Sequence, residues 1–126
     1  MRILGIDYGR AKIGLALAMN RLAEPYRVIK YKHQKEALSE IQKVIQLEEV
    51  EHVVVGVSEG EMGQESQNFA NLLKKKLKVP VDTFDETLST QDAQLLSRAA
   101  NLKIKKRRYL EDAYAAAVIL QNYLDR

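Results

Sequence analysis

The link between the first two apolar runs is the feature that most restricts the fold of this chain. Ile3–Ile6 is an apolar run typical of a buried strand, and a second run, KIGLALAM, begins at Lys12. The residues between them, Gly9–Lys12, are too few to form the crossover helix that two parallel strands require. The sequence therefore predicts an antiparallel hairpin of strands Arg2–Tyr8 and Lys12–Met19.

The rest of the chain alternates strand and helix patterns. The third strand is predicted around Tyr26–Tyr31, and it is followed by a helix over about Lys35–Glu48, the strand HVVVGV and a loop over Gly56–Gly63. Next come a helix marked by Phe69, Leu72, Leu73 and Leu77 and an edge strand in VPVDTFDET. The chain then has a helix carrying Ala93, Leu96, Ala99 and Ala100, a basic loop, and a last helix over about Glu111–Leu124. A meander followed by βα units indicates an α/β protein, with a mixed sheet and helices on both faces.

Size and composition limit the class of protein. With 126 residues, 46% of them hydrophobic and 29% charged, the chain fits one globular domain, residues 1–126, with a core of its own. It has no cysteine, which excludes disulfides and is compatible with a reducing cytoplasm. The first residues enter a strand at once, so we expect no signal peptide, and no apolar run is long enough to span a bilayer.

Several acidic residues lie at the ends of predicted strands and helices, where a purely structural role does not fully explain them. Asp7 closes a buried strand, and a carboxylate there is costly unless a partner compensates it. Asp112 continues the apolar stripe Ala116, Ile119, Leu120 and Tyr123 of the last helix, although the helix dipole alone could favour an acid in a first turn. At the end of the fifth strand, alternation sends Asp85 and Glu86 to opposite faces, and the residues alone do not choose between them.

Three carboxylates from distant parts of the chain are harder to explain separately than together. Clustered, they would repel one another, and a divalent cation removes that repulsion. Mg²⁺, or Mn²⁺ in its place, prefers hard oxygen ligands and keeps water molecules available for substrate phosphates. The two histidines, His33 and His52, have no ligand at metal-binding spacing, and we expect both to be structural or surface residues.

Positive charge is concentrated just before Asp112. In KIKKRR, Lys103–Arg108, five of six positions are basic. A solvated loop is the usual explanation of one charge run. Because this run leads directly into an acidic site, we expect Lys105, Lys106, Arg107 and Arg108 to bind nucleic-acid phosphates.

Four segments, GIDYGRAKIGLALA, VVVGVSEGEMGQES, FDETLSTQDA and EDAYAAAVILQNYLD, occur in the order of a known family. With them the sequence resembles, nearly end to end, the bacterial Holliday-junction-resolvase-like proteins of the YqgF type, regarded as pre-ribosomal-RNA nucleases. The resemblance implies a ribonuclease H-like fold, whose five-stranded mixed sheet has the order 3-2-1-4-5 and is flanked by helices. It also implies metal-dependent cleavage of nucleic acid, chiefly at the 5′ end of the pre-16S ribosomal RNA, or of branched DNA, by a monomer or homodimer.

The resemblance also assigns the site. It implies that Asp7, Glu86 and Asp112 are the catalytic, metal-binding residues, and it favours Glu86 over Asp85. Gly9 is then interpreted as space for a substrate backbone. Two departures from the family pattern, GVSEGEMG after the fourth strand and Thr87 in place of an arginine, predict altered substrate contacts.

Two other functions remain open at this point. A phosphate-binding module of the actin and sugar-kinase type also places Asp and Gly after a first strand, but it needs a second large domain and a second phosphate loop. A non-catalytic nucleic-acid-binding protein could keep the fold without activity. ATP binding would identify the first, and the absence of Mg²⁺-dependent turnover would identify the second.

Overall fold

The computed structural model describes residues 1–85 and 110–126. In this part of the chain the elements are β1 Ile3–Asp7, β2 Lys12–Ala18, β3 Ala23–Lys30, α1 Gln34–Leu47, β4 His52–Val57, α2 Gly60–Lys76, β5 Val81–Asp85 and α3 Glu111–Asp125. The predicted helix carrying Ala93, Leu96, Ala99 and Ala100 and the predicted basic loop lie outside the described residues. Within the described residues, no helix has both the length and the apolar composition needed to cross a bilayer.

The five strands form one mixed sheet in the order β3-β2-β1-β4-β5, as predicted. The pairs β1–β2 and β2–β3 are antiparallel, whereas β4 is parallel to both β1 and β5. The short link at Gly9 thus produces the expected hairpin, and the apolar strand HVVVGV occupies the buried, parallel part of the sheet. The strand β5, which follows Pro80, is an edge strand, also as predicted.

Helices cover both faces of the sheet, and each face has its own hydrophobic cluster. On one face α1 and α2 cover Leu4, Ile6, Val53 and Val55, each fully buried. On the other face α3 lies against alternate residues of the same strands. The residues of this second cluster are Ile3, Ala16, Ala18, Ala23, Val54, Ala116, Ala117, Ile119 and Leu120. The period-two alternation of the strands therefore decides which side chains can reach α3.

Two predicted boundaries are wrong. The segment interpreted as a loop over Gly56–Gly63 already becomes helical at Gly60, where α2 begins. Its glycines suggested a turn, but a Cβ on Gly63 would lie 1.7 Å from the Ser58 carbonyl oxygen, so Gly63 permits close packing within the first helical turn. The third strand begins earlier than predicted, at Ala23.

Candidate active site at the carboxyl end of the sheet

Asp7 is the last residue of β1 and is half-buried at the carboxyl end of the parallel strands. Its partner across the antiparallel register is Gly14 of β2. Residues directly opposite each other in such a pair present their side-chain positions on the same face. Asp7 therefore shares the face on which Gly14 lies.

Gly14 is in direct contact with the first turn of α3. A Cβ at this position would lie 1.9 Å from the carbonyl oxygen of Asp112 and 2.9 Å from the amide nitrogen of Ala113. Only a residue without a side chain allows the helix to approach the strand this closely. Gly14 thus joins the end of β1 to the start of α3, and it brings Asp7 and Asp112 to one edge of one face.

Asp112 is half-buried in the first turn of α3, which begins at Glu111. The apolar stripe predicted beyond it is confirmed, since Ala116, Ile119 and Leu120 are fully buried. Within the described residues, the Asp112 side chain has no hydrogen bond or ion pair. Its carboxylate is therefore held in place by the helix rather than by a partner side chain.

The end of β5 shows the face of Asp85, one of the two acids between which the sequence did not choose. Val81 belongs to the cluster under α1 and α2, whereas Phe84 packs with the cluster under α3. Alternation therefore places Asp85 with Val81, on the face opposite to Asp7 and Asp112. Glu86, which the resemblance favours, lies outside the described residues, as do Lys105, Lys106, Arg107 and Arg108.

The hairpin link beside Asp7 is fixed by several contacts. A Cβ on Gly9 would lie 2.5 Å from the Lys12 carbonyl oxygen. The link itself therefore requires glycine, with or without a substrate beside it. The Tyr31 hydroxyl donates to the Gly9 carbonyl, and the Tyr31 amide donates to the Ala11 carbonyl at 3.1 Å. Burial, followed by a hydrogen bond with Tyr8, raises the pKa of Tyr31 above its usual range, so the phenol stays protonated.

Arg10, at the tip of this link, is bound to α2. Its guanidinium donates from Nε to Glu65 Oε1 at 3.0 Å and from Nη2 to Glu65 Oε2 at 2.7 Å, a two-pronged geometry that fits arginine and carboxylate. This hydrogen bonding lowers the pKa of Glu65 and raises that of Arg10. This contact could not be predicted from sequence, because its two residues are 55 positions apart and no local pattern connects them.

Among residues 1–85 and 110–126 there is no group of three His, Cys, Asp or Glu side chains that could hold a metal ion. The described part supplies two aspartates, Asp7 and Asp112, from different elements. Both offer the hard oxygen ligands that Mg²⁺ prefers. His33 starts α1 and His52 hydrogen-bonds Asp82 at 2.9 Å, so the described structure agrees with structural or surface roles for both.

Comparison with known proteins identifies relatives that match over nearly the whole chain. A protein of Syntrophomonas wolfei named "Putative pre-16S rRNA nuclease" is 40% identical over 99% of this chain and 94% of its own length. Two solved structures share the fold. RuvC of T. thermophilus in complex with a Holliday junction substrate has a TM-score of 0.62, with 21% identity over 94% of this chain and 92% of that one. The Fowlpox virus resolvase with Holliday junction DNA has a TM-score of 0.66, with 12% identity over 99% of this chain and 97% of that one.

These likenesses confirm the ribonuclease H-like architecture expected from the resemblance, with the sheet order given above. The names of the relatives also place the chain among nucleases, which are hydrolases of phosphodiester bonds. The family model described as RuvX, Holliday junction resolvase, matches residues 1–126. The chain therefore belongs to the RuvX family of Holliday junction resolvases.

Proposed function

We propose that this chain is a metal-dependent nuclease for structured nucleic acid, and that its main substrate is the 5′ end of the pre-16S ribosomal RNA. The observation that carries the proposal is the contact of β2 with α3 at Gly14, the register partner of Asp7, which brings Asp7 and Asp112 to one edge of the sheet. A half-buried acid with a purely structural role would be expected to have a basic or hydrogen-bonding partner, and Asp112 has none within the described residues.

Asp7, Asp112 and Glu86 are the residues we propose to hold Mg²⁺ or Mn²⁺. The two described aspartates fit such an ion in ligand type. Glu86 follows the strand on which Asp82 and Phe84 face α3, and alternation assigns it to their set. A bound divalent ion would supply Lewis-acid stabilisation of charge on the phosphate oxygens.

The remaining residues of the proposed site position these carboxylates and the substrate. The hairpin link, held by Tyr31 and Arg10, fixes the end of β1 and therefore the Asp7 carboxylate. The buried stripe of α3 fixes Asp112. We propose that Lys105, Lys106, Arg107 and Arg108 bind substrate phosphates, which positions the backbone without specifying its sequence.

The choice of ribosomal RNA rests on the names of the relatives, and branched DNA is the other substrate class. We further propose that the chain acts as a single nuclease domain, residues 1–126, in the cytoplasm, where ribosomal RNA is processed, as a monomer or a homodimer. A non-catalytic protein that binds nucleic acid is the competing function, because GVSEGEMG and Thr87 depart from the family pattern.

A cleavage assay tests the proposal. The purified protein is incubated with a pre-16S RNA fragment and with a four-way DNA junction, each with Mg²⁺, with Mn²⁺ and with EDTA. We expect cleavage in either metal, none in EDTA, and a higher rate on the RNA. Binding of both substrates without cleavage in any metal would instead establish the non-catalytic function. Faster cleavage of the junction would make branched DNA the main substrate.

A further inference from the structure

Three lysines form a basic patch beside the candidate active site. Lys12 opens β2, Lys30 closes β3, and Lys32 follows β3; all three are exposed. Lys12 and Lys30 are direct partners in the β2–β3 register. We call these three residues the lysine patch, and none of them belongs to the basic segment identified from sequence.

The lysine patch lies at the same end of the sheet as Asp7 and, in part, on the same face. Lys12 precedes Gly14 by two positions, so alternation gives both residues the face that α3 covers. Its direct partner Lys30 shares that face. Two residues of a strand advance by about 7 Å and neighbouring strands are about 5 Å apart, so the pair lies a short distance from Gly14.

Charge is left uncompensated at this patch. Like charges directly opposite each other destabilise a sheet, so the Lys12–Lys30 pair costs stability. A function in binding would explain why the pair is present. Within the described part of the chain, none of the three lysines forms an ion pair, whereas nearby Arg10 is compensated by Glu65 and Glu61. Within the described residues, α2 thus neutralises Arg10 and leaves the three lysines without an ion pair.

The patch borders an open recess of about 430 Å³. Its lining is Ala11, Lys12, Lys30, Tyr31, Lys32 and Glu36. The floor is fixed, because Tyr31 is buried and hydrogen-bonds the backbone of both Gly9 and Ala11. The lining carries three lysines and one acid, Glu36, so a groove with this rigid floor and net positive charge suits a polyanion that lies across it.

We propose that Lys12, Lys30 and Lys32 bind the sugar-phosphate backbone of the substrate where it leaves the candidate active site over β2 and β3. This inference rests on the proposed function and adds a second phosphate-binding surface to it. Lysine acts there as a point charge, so the contacts position the nucleic acid and contribute little sequence preference.

A competing explanation is that the lysines protect an edge strand. Exposed lysines on edge strands prevent pairing with another molecule, and β3 is an edge of this sheet. That explanation accounts for Lys30 but not for Lys12, since β2 is an interior strand. It also predicts aggregation, rather than weaker nucleic-acid binding, when the lysines are removed.

The experiment compares two triple variants of equal charge. Lys12→Gln/Lys30→Gln/Lys32→Gln removes the patch, and Lys74→Gln/Lys75→Gln/Lys76→Gln removes three exposed lysines from the last turn of α2, at the other end of the sheet. Each variant lowers the formal net charge from +3 to 0, so a general charge effect is the same in both. Binding of a fluorescein-labelled four-way DNA junction is measured by anisotropy over a range of salt, in EDTA to prevent metal-dependent cleavage.

We expect the patch variant to lose affinity by about tenfold or more, and its salt slope to fall by about one unit for each lysine. The α2 variant should change little. Equal binding by the two variants, or aggregation of the patch variant with unchanged affinity, would overturn the inference while leaving the proposed function intact. Failure of the unsubstituted protein to bind either the junction or a labelled pre-16S RNA fragment would overturn both, whereas binding of the RNA alone moves the comparison of the two variants to that RNA. If the triple patch variant does not fold, Lys32→Gln alone serves as the test, because Lys32 lies outside the strands. This single variant should lower the salt slope by about one unit.

Discussion

Acidic side chains occur on the α3 face of the sheet at both of its ends, and the two ends differ in what surrounds them. At the amino end, Asp82 Oδ2 accepts a hydrogen bond from the Tyr123 hydroxyl at 2.9 Å and lies 2.9 Å from His52 Nε2. At the carboxyl end, Asp112 has no such partner among the described residues. It lies beside Gly14, which is paired with a second aspartate, Asp7.

The difference separates a structural acid from a candidate catalytic one. The amino-end contacts tie β4, β5 and α3 together, and Arg126 adds a cation 3.9 Å from the centre of the Tyr123 ring. These groups satisfy the charge of Asp82 inside the fold. Within residues 1–85 and 110–126, the carboxyl end brings two acids together and supplies no such compensation to Asp112, which makes Asp112 a candidate for ligand binding.

Replacing an aspartate at each end gives the sharpest test. Asp7→Asn keeps the side-chain shape but removes the charge that would hold a cation, so cleavage should fall by at least about 10³-fold, the equivalent of several kcal/mol of metal stabilisation. Asp82 lies two strands from Asp7 and two residues, about 7 Å, nearer the amino end of the sheet. Asp82→Asn should leave cleavage within about twofold and lower the melting temperature instead. Cleavage rates and thermal unfolding of both purified variants check this.

The comparison would fail if Asp7→Asn kept the unsubstituted rate while folded, since Asp7 would then have no catalytic part. Unfolding measured in EDTA controls for stability. There Asp7→Asn should be at least as stable as the unsubstituted protein, because removing one carboxylate relieves repulsion within the proposed cluster.

The second prediction concerns the contact between β2 and α3 beside Asp7. Gly14→Ala places a Cβ 1.9 Å from the Asp112 carbonyl oxygen, so the first turn of α3 must move by an ångström or more. Such a displacement should lower cleavage by about 10²-fold and stability by about 1–3 kcal/mol.

Gly5→Ala is the matched control for this change. Its Cβ would lie 2.8 Å from Leu120 Cβ, which also strains α3 but nearer the middle of the helix. Stability should fall here too, with a smaller loss of cleavage. Equal loss of cleavage in the two variants at a temperature where both are folded would show that Gly14 has no special role in the site.

The fold could be predicted from sequence because its signals are local. The four-residue link at Gly9 required a hairpin, and the apolar run HVVVGV required a strand buried on both sides. The start of α2 could not be predicted in the same way. Gly60 and Gly63 suggest a loop, and the reason for Gly63 is a contact with the Ser58 carbonyl that only the folded chain shows.

The site could be predicted only in part, because its pieces meet through long-range register. Asp7 and Asp112 were each identified as unusual, but nothing in the sequence indicated that Gly14 brings them together. The Lys12–Lys30 pair was missed, because a register shift between Leu15 and Ala16 changes the pairing along β2 and β3. No local pattern specifies a β-bulge of this kind.

The third prediction compares the cations of the basic segment before Asp112 with those of the last turn of α2. Arg107→Gln/Arg108→Gln, just before Asp112, should lower affinity for RNA and DNA alike by up to about tenfold and reduce the salt slope by about two units. Lys75→Gln/Lys76→Gln, in the last turn of α2, is the charge-matched control and should have little effect. Affinity for Mg²⁺ should not change, because cationic side chains do not ligate the ion. An unchanged slope in the arginine variant would make its segment a solvated surface turn.

The fourth and smallest prediction is a pH dependence at the amino end. The hydrogen bond from Tyr123 and, to a lesser degree, the proximity of His52 lower the pKa of Asp82 below its usual value of about 3.9. A carboxyl whose pKa is lower in the folded than in the unfolded state contributes stability above the unfolded pKa, and that contribution is lost as the pH falls through the folded pKa. Because the Asp82 side chain is 52% exposed, solvent screening should keep the contribution below about 1 kcal/mol.

Thermal unfolding of the unsubstituted protein and of Asp82→Asn between about pH 6 and pH 2 measures this contribution. The two melting temperatures should differ most at the upper end of the range and converge as the pH drops below about 4. Tyr123→Phe removes the main cause of the pKa shift, so it should reduce the pH dependence while leaving cleavage unchanged. A difference that grows towards low pH would show that the protonated form of Asp82 is the one the fold stabilises. Tyr123 and His52 would then not be stabilising the charged carboxylate of Asp82. The contrast with Asp112 would no longer distinguish a structural acid from a catalytic one.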